Sequence, residues 1–198
     1  GAGTGKTSTL AARVAHLVIH GVDPGRILML TFTRRAALEM RRRARDIVKT
    51  ALNETVTGIS QSMLQRMQWA GTFHAIGARL LRHYARHLNL DPNFTILDRG
   101  DAADLVDSIR EELGFAKLDK RFPRKDVCLA IYSHRVNTQG SLKETLESQF
   151  PWCAGWSEEL TQIFRKYVER KQQLSLLDYD DLLLYWHAMV QEPKFAQH

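Results

Sequence analysis

The chain opens on Gly1-Ala2-Gly3-Thr4-Gly5-Lys6-Thr7, and this stretch decides which fold the rest of the sequence must complete. It matches the phosphate-binding pattern G-x-x-x-x-G-K-[ST] from the second position of that pattern onward. Glycines let backbone N–H groups approach phosphate oxygens, and a following helix directs its positive end at the same anion. Lys6 can reach the β- and γ-phosphates of a nucleotide, and the Thr7 hydroxyl can ligate Mg²⁺. The residues predicted to bind the nucleotide are Gly1, Ala2, Gly3, Thr4, Gly5, Lys6, Thr7 and Ser8, of which Lys6 and Thr7 are also predicted to act in catalysis.

The sequence after this loop alternates between helical and strand patterns. Apolar residues recur at helical spacing over 8–20, and 27–30 is a continuous apolar run typical of a strand buried on both faces of a parallel sheet. Further along, the pattern predicts a helix over 34–52, a polar loop over 53–65, a strand over 67–70 and a helix over 74–88. This alternation predicts an α/β layer with right-handed crossovers.

The character of the chain changes after residue 93. No clear strand pattern interrupts 98–190, where helix-start signals recur, so this region is predicted to be largely helical. Ser141 and Glu144 form a capping-box pattern, and the other expected N-caps are Asp98, Ser157 and Asp178. Trp152 and Trp156 are expected to lie in the core of this helical region, with an aromatic surface for a strand or a partner as the alternative.

Composition and charge limit the possible functions. Hydrophobic residues make up 44% of the 198 residues and charged residues 25%, which is typical of a globular chain. The longest apolar run, 182–186, is far shorter than the ~18 residues of a membrane span. The two cysteines, Cys128 and Cys153, form neither a disulfide framework nor a zinc pattern and suit a reducing compartment, so a cytoplasmic protein that does not enter membranes is predicted.

Positive charge is concentrated in the first half of the chain. Residues 1–90 carry 14 Lys and Arg against 4 Asp and Glu, whereas residues 91–198 carry 14 against 18. The first half is therefore a candidate surface for a polyanion, although a solvated basic helix would give the same composition.

A P-loop enzyme also needs a carboxylate at the end of an apolar strand, to hold Mg²⁺ and prepare the attacking water. The nearest candidate is Asp178, but only two apolar residues precede it, and a helix cap is the better interpretation. We therefore expect the catalytic carboxylate to lie beyond His198. On this interpretation the chain is a fragment that starts inside one motif, stops before another, and does not turn over ATP by itself.

Four motifs in a fixed order carry a family resemblance. They are GAGTGKT at 1–7, LTFTRRAALEM at 30–40, GTFH at 71–74 with Arg79 and Arg82, and LDYDDLL at 177–183. The chain resembles the N-terminal ATP-binding region of the UvrD/Rep/PcrA helicases of superfamily 1. This resemblance implies a RecA-like P-loop core with a parallel sheet, subdomain 1A, over 1–93 and 177–198. It implies an all-helical insert, subdomain 1B, over 94–176.

The resemblance also implies a function. It indicates an ATP-dependent 3′–5′ DNA helicase or translocase that uses ATP and Mg²⁺ and binds single-stranded DNA or a single-strand/double-strand junction. A second RecA-like lobe, expected from the same full-length chain, would supply an arginine to the transition state. The resemblance leaves open whether the parent is a repair helicase or a recombination nuclease-helicase.

The resemblance assigns a strand-binding set. In the family the aromatic residue at the position of Phe32 stacks on a base, and the positions of Thr72 and His74 contact the DNA backbone. Arg34 and Arg35 stand where the family usually has Asn-Lys, which keeps the positive charge at Arg35. The residues predicted to bind DNA are Phe32, Arg34, Arg35, Thr72, His74 and Arg79. An aromatic face beside cations is what single strands require, although the residues alone also allow Phe32 to be core and His74 to be structural.

Two other functions remain open from the sequence. A small P-loop kinase would need its whole site within about this length and should ignore DNA. A nucleic-acid-binding module with a remnant P-loop should ignore ATP. Nucleotide-dependent affinity for DNA separates the three.

Overall fold

The computed structural model describes residues 5–52, 59–117 and 122–192. The chain divides into two compact units, Gly1–Arg79 and Leu80–His198. None of the helices in these described ranges combines the length and the apolar character that crossing a membrane requires.

The first unit is built on two short parallel strands and the helices that follow them. Its elements are α1 (Lys6–Ile19), β1 (Met29–Thr31), α2 (Arg34–Ala51), α3 (Ile59–Arg66), β2 (Ala70–Thr72) and the start of α4 (Phe73–Tyr84). β1 pairs with β2 in the register Met29↔Ala70, Leu30↔Gly71 and Thr31↔Thr72. The core joins α1 and α2 through Ala11, Ala15 and Ala44, which are fully buried and let the two helices approach closely.

Three predictions for this unit need correction. The predicted loop at 53–65 is wrong from residue 59 onward, where α3 forms; 53–58 lie outside the described residues. The second strand comes later than predicted, because Met67 is buried in the core and its N–H donates to Met63 O at the end of α3. The first strand is not buried on both faces. Ile27 and Met29 are buried, whereas Leu28, which lies between them just before β1, is 52% exposed.

The second unit is mostly helical. It contains the end of α4, β3 (Thr95–Ile96), α5 (Arg99–Glu112), α6 (Lys125–Thr138), α7 (Leu142–Gln149), α8 (Ser157–Gln173), β4 (Leu176–Leu177) and α9 (Tyr179–Gln191). One continuous apolar core lies between α5, α6, α7 and α8. The predicted caps at Asp98 and Asp178 and the capping box of Ser141 and Glu144 are confirmed.

A short strand pair breaks the helical pattern that the sequence predicts. β4 lies within the span expected to lack strands, and it pairs parallel with β3 through Thr95↔Leu176 and Ile96↔Leu177. Two residues are too few to show a period-2 pattern, so no strand signal is visible at these positions. The pairing places the two ends of the predicted 94–176 insert side by side, and the insert itself stays a prediction.

Two further predictions in this unit are wrong. Ser157 does not cap α8 but is its first residue, and Trp156 occupies the N-cap position. Trp152 is 68% exposed and is therefore not core. Trp156 does pack on the core, with its ring edge-on to Phe122 at 5.3 Å between centroids.

The burial of Cys128 predicts that the second unit becomes less stable as the pH rises above neutral. Burial raises the pKa of its thiol from 9.0 to about 12, so above pH 9 the unfolded chain releases a proton that the folded chain keeps. The free energy of unfolding should fall by up to about 1.4 kcal/mol per pH unit for this one group. Denaturant unfolding between pH 8 and 10, followed by circular dichroism, measures this slope. Cys128→Ala should have a shallower slope, and equal slopes would contradict the assignment.

Candidate nucleotide and nucleic-acid sites

The described part of the phosphate loop is the start of α1. Gly1, Ala2, Gly3 and Thr4 lie outside the described residues. Gly5 adopts a left-handed conformation with φ of 74°, which a side chain would strain, and it occupies the N-cap of α1. Its carbonyl accepts the Thr9 N–H at 2.9 Å, which closes the first turn.

The N-terminus of α1 suits an anion. Neither a capping side chain nor an acidic residue is found in the described first turn, so its N–H groups remain open to a ligand. Lys6 is the first residue of the helix and is exposed, and Thr7 and Ser8 follow with their hydroxyls. A left-handed glycine, open N–H groups and one cation together suit the binding of a nucleotide phosphate.

A second set of residues meets at the carboxyl edge of the two parallel strands. Because Thr31 pairs with Thr72, the next residues, Phe32 and Phe73, leave the strands at the same edge. Their ring centroids lie 6.0 Å apart, with the planes tilted by 49°. Phe32 is 93% exposed and Phe73 is 38% exposed. The interpretation of Phe32 as core is therefore wrong: the two rings form an aromatic surface that faces solvent.

Two helices also begin at this edge. The Thr33 hydroxyl accepts the Ala36 N–H at 3.1 Å at the start of α2, and the Thr72 hydroxyl accepts the Ala75 N–H at 3.3 Å at the start of α4. Each hydroxyl still has its own proton to donate. The positive ends of two helices thus lie beside the aromatic pair and favour a negatively charged ligand.

Five of the six predicted DNA-binding residues gather at this edge. Arg34 and Arg35 are the exposed first residues of α2, and His74 is exposed in the first turn of α4. Arg79 lies elsewhere: it donates to the Gln68 carbonyl at 2.5 Å, just before β2 begins, and its guanidinium lies over the Trp69 ring. The sequence analysis missed Phe73. The dipeptide Thr-Phe occurs at both 31–32 and 72–73. If the pairing of Thr31 with Thr72 had been known, it would have placed Phe73 beside Phe32.

Further along α2, part of the positive charge is neutralised within the helix. Glu39 pairs with Arg42 at 3.4 Å and with Arg43 at 2.8 Å. The hydrogen bond from Arg43 and the charge of Arg42 hold the pKa of Glu39 below its usual range, so the carboxylate stays ionised. The arginines that remain beside the aromatic pair are Arg34 and Arg35.

Comparison with known proteins agrees with these motifs. Residues 1–198, the whole chain, match the family described as the UvrD/REP helicase N-terminal domain. The chain belongs to this family. The family has a RecA-like superfamily 1 fold, and the chain itself is mostly helical with short parallel strands.

Individual members of the UvrD/REP family are similar along the chain. The ATP-dependent DNA helicase UvrD1 of Mycobacterium tuberculosis is 32% identical over the whole chain, which covers 24% of that protein. The ATP-dependent DNA helicase PcrA of Leuconostoc citreum is 31% identical over 93% of the chain and 22% of its own length. DNA helicase II of Escherichia coli is 29% identical over the whole chain and 25% of its own length. The chain thus spans about a quarter of the length of these relatives.

Proposed function

We propose that this chain is the ATP-binding and strand-binding front part of an ATP-dependent DNA helicase or translocase that moves 3′ to 5′ along single-stranded DNA. The observation that carries the proposal is the exposed Phe32–Phe73 pair, which lies where two helix N-termini and two arginines meet. Membership of the UvrD/REP family and relatives named as ATP-dependent DNA helicases support it. This surface at the carboxyl edge of β1 and β2 favours a protein that binds a nucleic-acid strand over a small P-loop kinase, which binds none.

The nucleotide would bind at the start of α1. Lys6 would neutralise the β- and γ-phosphates, the Thr7 hydroxyl would ligate Mg²⁺, and the N–H groups of the first turn would receive phosphate oxygens. When bound, ATP with Mg²⁺ supplies the free energy for movement. The catalytic carboxylate and the arginine of a second RecA-like lobe would come from other parts of the complete protein.

The strand would bind at the carboxyl edge of β1 and β2. A base would stack on the exposed face of Phe32, an interaction worth ~1–3 kcal/mol per base. Thr72, His74, Arg34 and Arg35 would hold the backbone phosphates, helped by the positive ends of α2 and α4. Because stacking does not distinguish bases, the strand could move past this edge in steps, toward a junction with double-stranded DNA.

In this proposal the two predicted subdomains, whose boundaries differ from those of the two compact units, have different roles. Residues 1–93 and 177–198 would contribute to the RecA-like core with its parallel sheet, subdomain 1A. Residues 94–176 would form the helical insert, subdomain 1B, and the pairing of β3 with β4 at the base of the insert supports this division.

The test is single-stranded DNA binding by the complete protein with Phe32 replaced. Phe32→Ala should weaken binding by ~1–3 kcal/mol, because one stacking face is lost. Leu28→Ala is the matched control, since Leu28 is also an exposed apolar residue next to β1 but precedes the strand instead of following it. Fluorescence anisotropy of a labelled oligonucleotide measures both. Equal effects of the two variants would contradict a site at the carboxyl edge.

The salt dependence of binding separates stacking from charge. Phe32→Ala should leave the slope of log affinity against log salt nearly unchanged, because stacking releases no counterions. Arg34→Ala or Arg35→Ala should each flatten that slope by about 0.7 if the arginine contacts a phosphate. Thermal melts confirm folding. A Phe32→Ala protein that changes the slope as the arginine variants do would contradict the proposal.

A further inference from the structure

One arginine of α2 joins the strand-binding helix to the start of α1. The Nη1 atom of Arg43 donates to the Ser8 hydroxyl at 2.7 Å, and its Nε atom donates to the Glu39 carboxylate at 2.8 Å. Ser8 directly follows Lys6 and Thr7 and is itself predicted to bind the nucleotide, so this hydrogen bond ends within the predicted phosphate site. We call these two hydrogen bonds, which connect Glu39, Arg43 and Ser8, the Arg43 link.

The link crosses a close contact between two helices. Ala11 and Ala15 of α1 and Ala44 of α2 are fully buried and bring the helix backbones together beside the link. Arg43 lies nine residues, about 14 Å along the helix, from Arg34 at the start of α2. A packed helix of this length moves as one body, so a displacement at Arg43 is also felt where Phe32 and Arg34 meet the strand.

The chemistry of the link makes it sensitive to a nucleotide. Arg43 is a cation with planar donors, and its present partners are a carboxylate on its own helix and a neutral hydroxyl on α1. A phosphate bound at the first turn of α1 attracts this cation and competes with the Ser8 hydroxyl for the N–H donors of Arg43. We therefore expect nucleotide binding to change the hydrogen bond between Arg43 and Ser8.

We propose that the Arg43 link couples the nucleotide site to the strand site. Arg43 and Glu39 are positioning residues in this coupling and contact neither the base of the nucleotide nor the DNA strand. The inference rests on the proposed function and goes beyond it, because it names the residues through which one ligand changes the affinity for the other. Coupling between two ligands is reciprocal, so the strand also changes the affinity for the nucleotide by the same factor.

The test measures coupling in the complete protein. The dissociation constant of a labelled single strand is determined without nucleotide and with saturating adenylyl imidodiphosphate and Mg²⁺, and the ratio is the coupling factor. Arg43→Met should bring this factor at least about threefold closer to one, a substantial part of a typical coupling. Arg42→Met is the matched control: it removes one arginine of the same helix and one ion pair with Glu39, but Arg42 does not bond Ser8. Its coupling factor should stay within about twofold of wild type.

Variants of Ser8 test the other end of the link. Ser8→Thr keeps the hydroxyl and should keep the coupling factor of the wild type. Ser8→Ala removes the hydroxyl and should bring the coupling factor closer to one, as Arg43→Met does. Because the nucleotide is saturating, differences in nucleotide affinity do not affect the comparison. This pair decides the matter if Arg43→Met does not fold. A wild type that couples the two ligands, together with an Arg43→Met protein that couples them equally well, overturns the link and leaves the proposed function standing. A wild type that binds no single strand overturns both.

Discussion

Replacing Lys6 by alanine is expected to abolish DNA-stimulated ATP hydrolysis by the complete protein, with a loss on the order of 100-fold or more. Lys6 is the only Lys or Arg among the first 12 residues, and it lies exposed at the open N-terminus of α1. Charge develops on the phosphate oxygens in the transition state, and this cation is the group of the described loop that can neutralise it.

Steady-state ATPase with saturating single-stranded DNA measures this effect. Arg13→Ala is the control, because Arg13 is the next cation of α1 and lies beyond the first turn. Its activity should stay close to wild type. Activity of Lys6→Ala within about threefold of wild type, less than ~1 kcal/mol of transition-state stabilisation, would contradict the assignment of the loop.

The strand site shows which parts of a site the sequence can predict. Motif resemblance pointed to Phe32, Arg34, Arg35, Thr72 and His74, and the structure brings them to one edge. Phe73 was not predicted, because its contact with Phe32 depends on the register of β1 and β2. Register is a tertiary property that local pattern does not contain.

Local chemistry explains why three of the four predicted caps are correct. A capping side chain reaches a backbone N–H only three residues away, so Asp98, Ser141 and Asp178 could be identified from short stretches of sequence. The short strands could not, because Leu176–Leu177 has no periodicity and acquires its conformation by pairing with Thr95–Ile96. Trp152 was misassigned for a similar reason: aromatic character favours burial, but it does not say which of two neighbouring tryptophans the core can accept.

A buried ionic cluster in the second unit had no sequence signal at all. Lys171, near the end of a strongly polar helix, is only 3% exposed. Its ammonium donates to Asp178 and to Asp181, each at 2.6 Å, and the Tyr167 hydroxyl also donates to Asp178, at 2.9 Å. Tyr132 lies 3.3 Å from the same ammonium. Asp178 was predicted only as a helix cap, and the structure adds that its second oxygen holds a buried lysine.

The charges in this cluster depend on one another. Burial alone would lower the pKa of Lys171, but Asp181, Tyr132 and Asp178 together raise it, so the ammonium stays charged. Burial raises the pKa of Asp181 above its usual range, against the opposing effect of Lys171. The ammonium is therefore what allows two carboxylates to remain side by side where water is excluded.

Lys171→Met should destabilise the folded chain by about 3–5 kcal/mol, because it leaves two buried carboxylates without their cation. Lys166→Met, on the same helix, removes a pair with Glu112 that is open to solvent and should cost much less.

The pH dependence of the stability of Lys171→Met identifies the cause of its deficit. A carboxylate whose pKa is raised in the folded state takes up a proton before the unfolded chain does, so acidification stabilises the fold. The deficit of Lys171→Met relative to wild type should therefore shrink between pH 7 and pH 5, whereas a deficit caused by lost packing would not change. Denaturant unfolding at both pH values measures it, and a deficit that is independent of pH or no larger than that of Lys166→Met would contradict the role of the cluster.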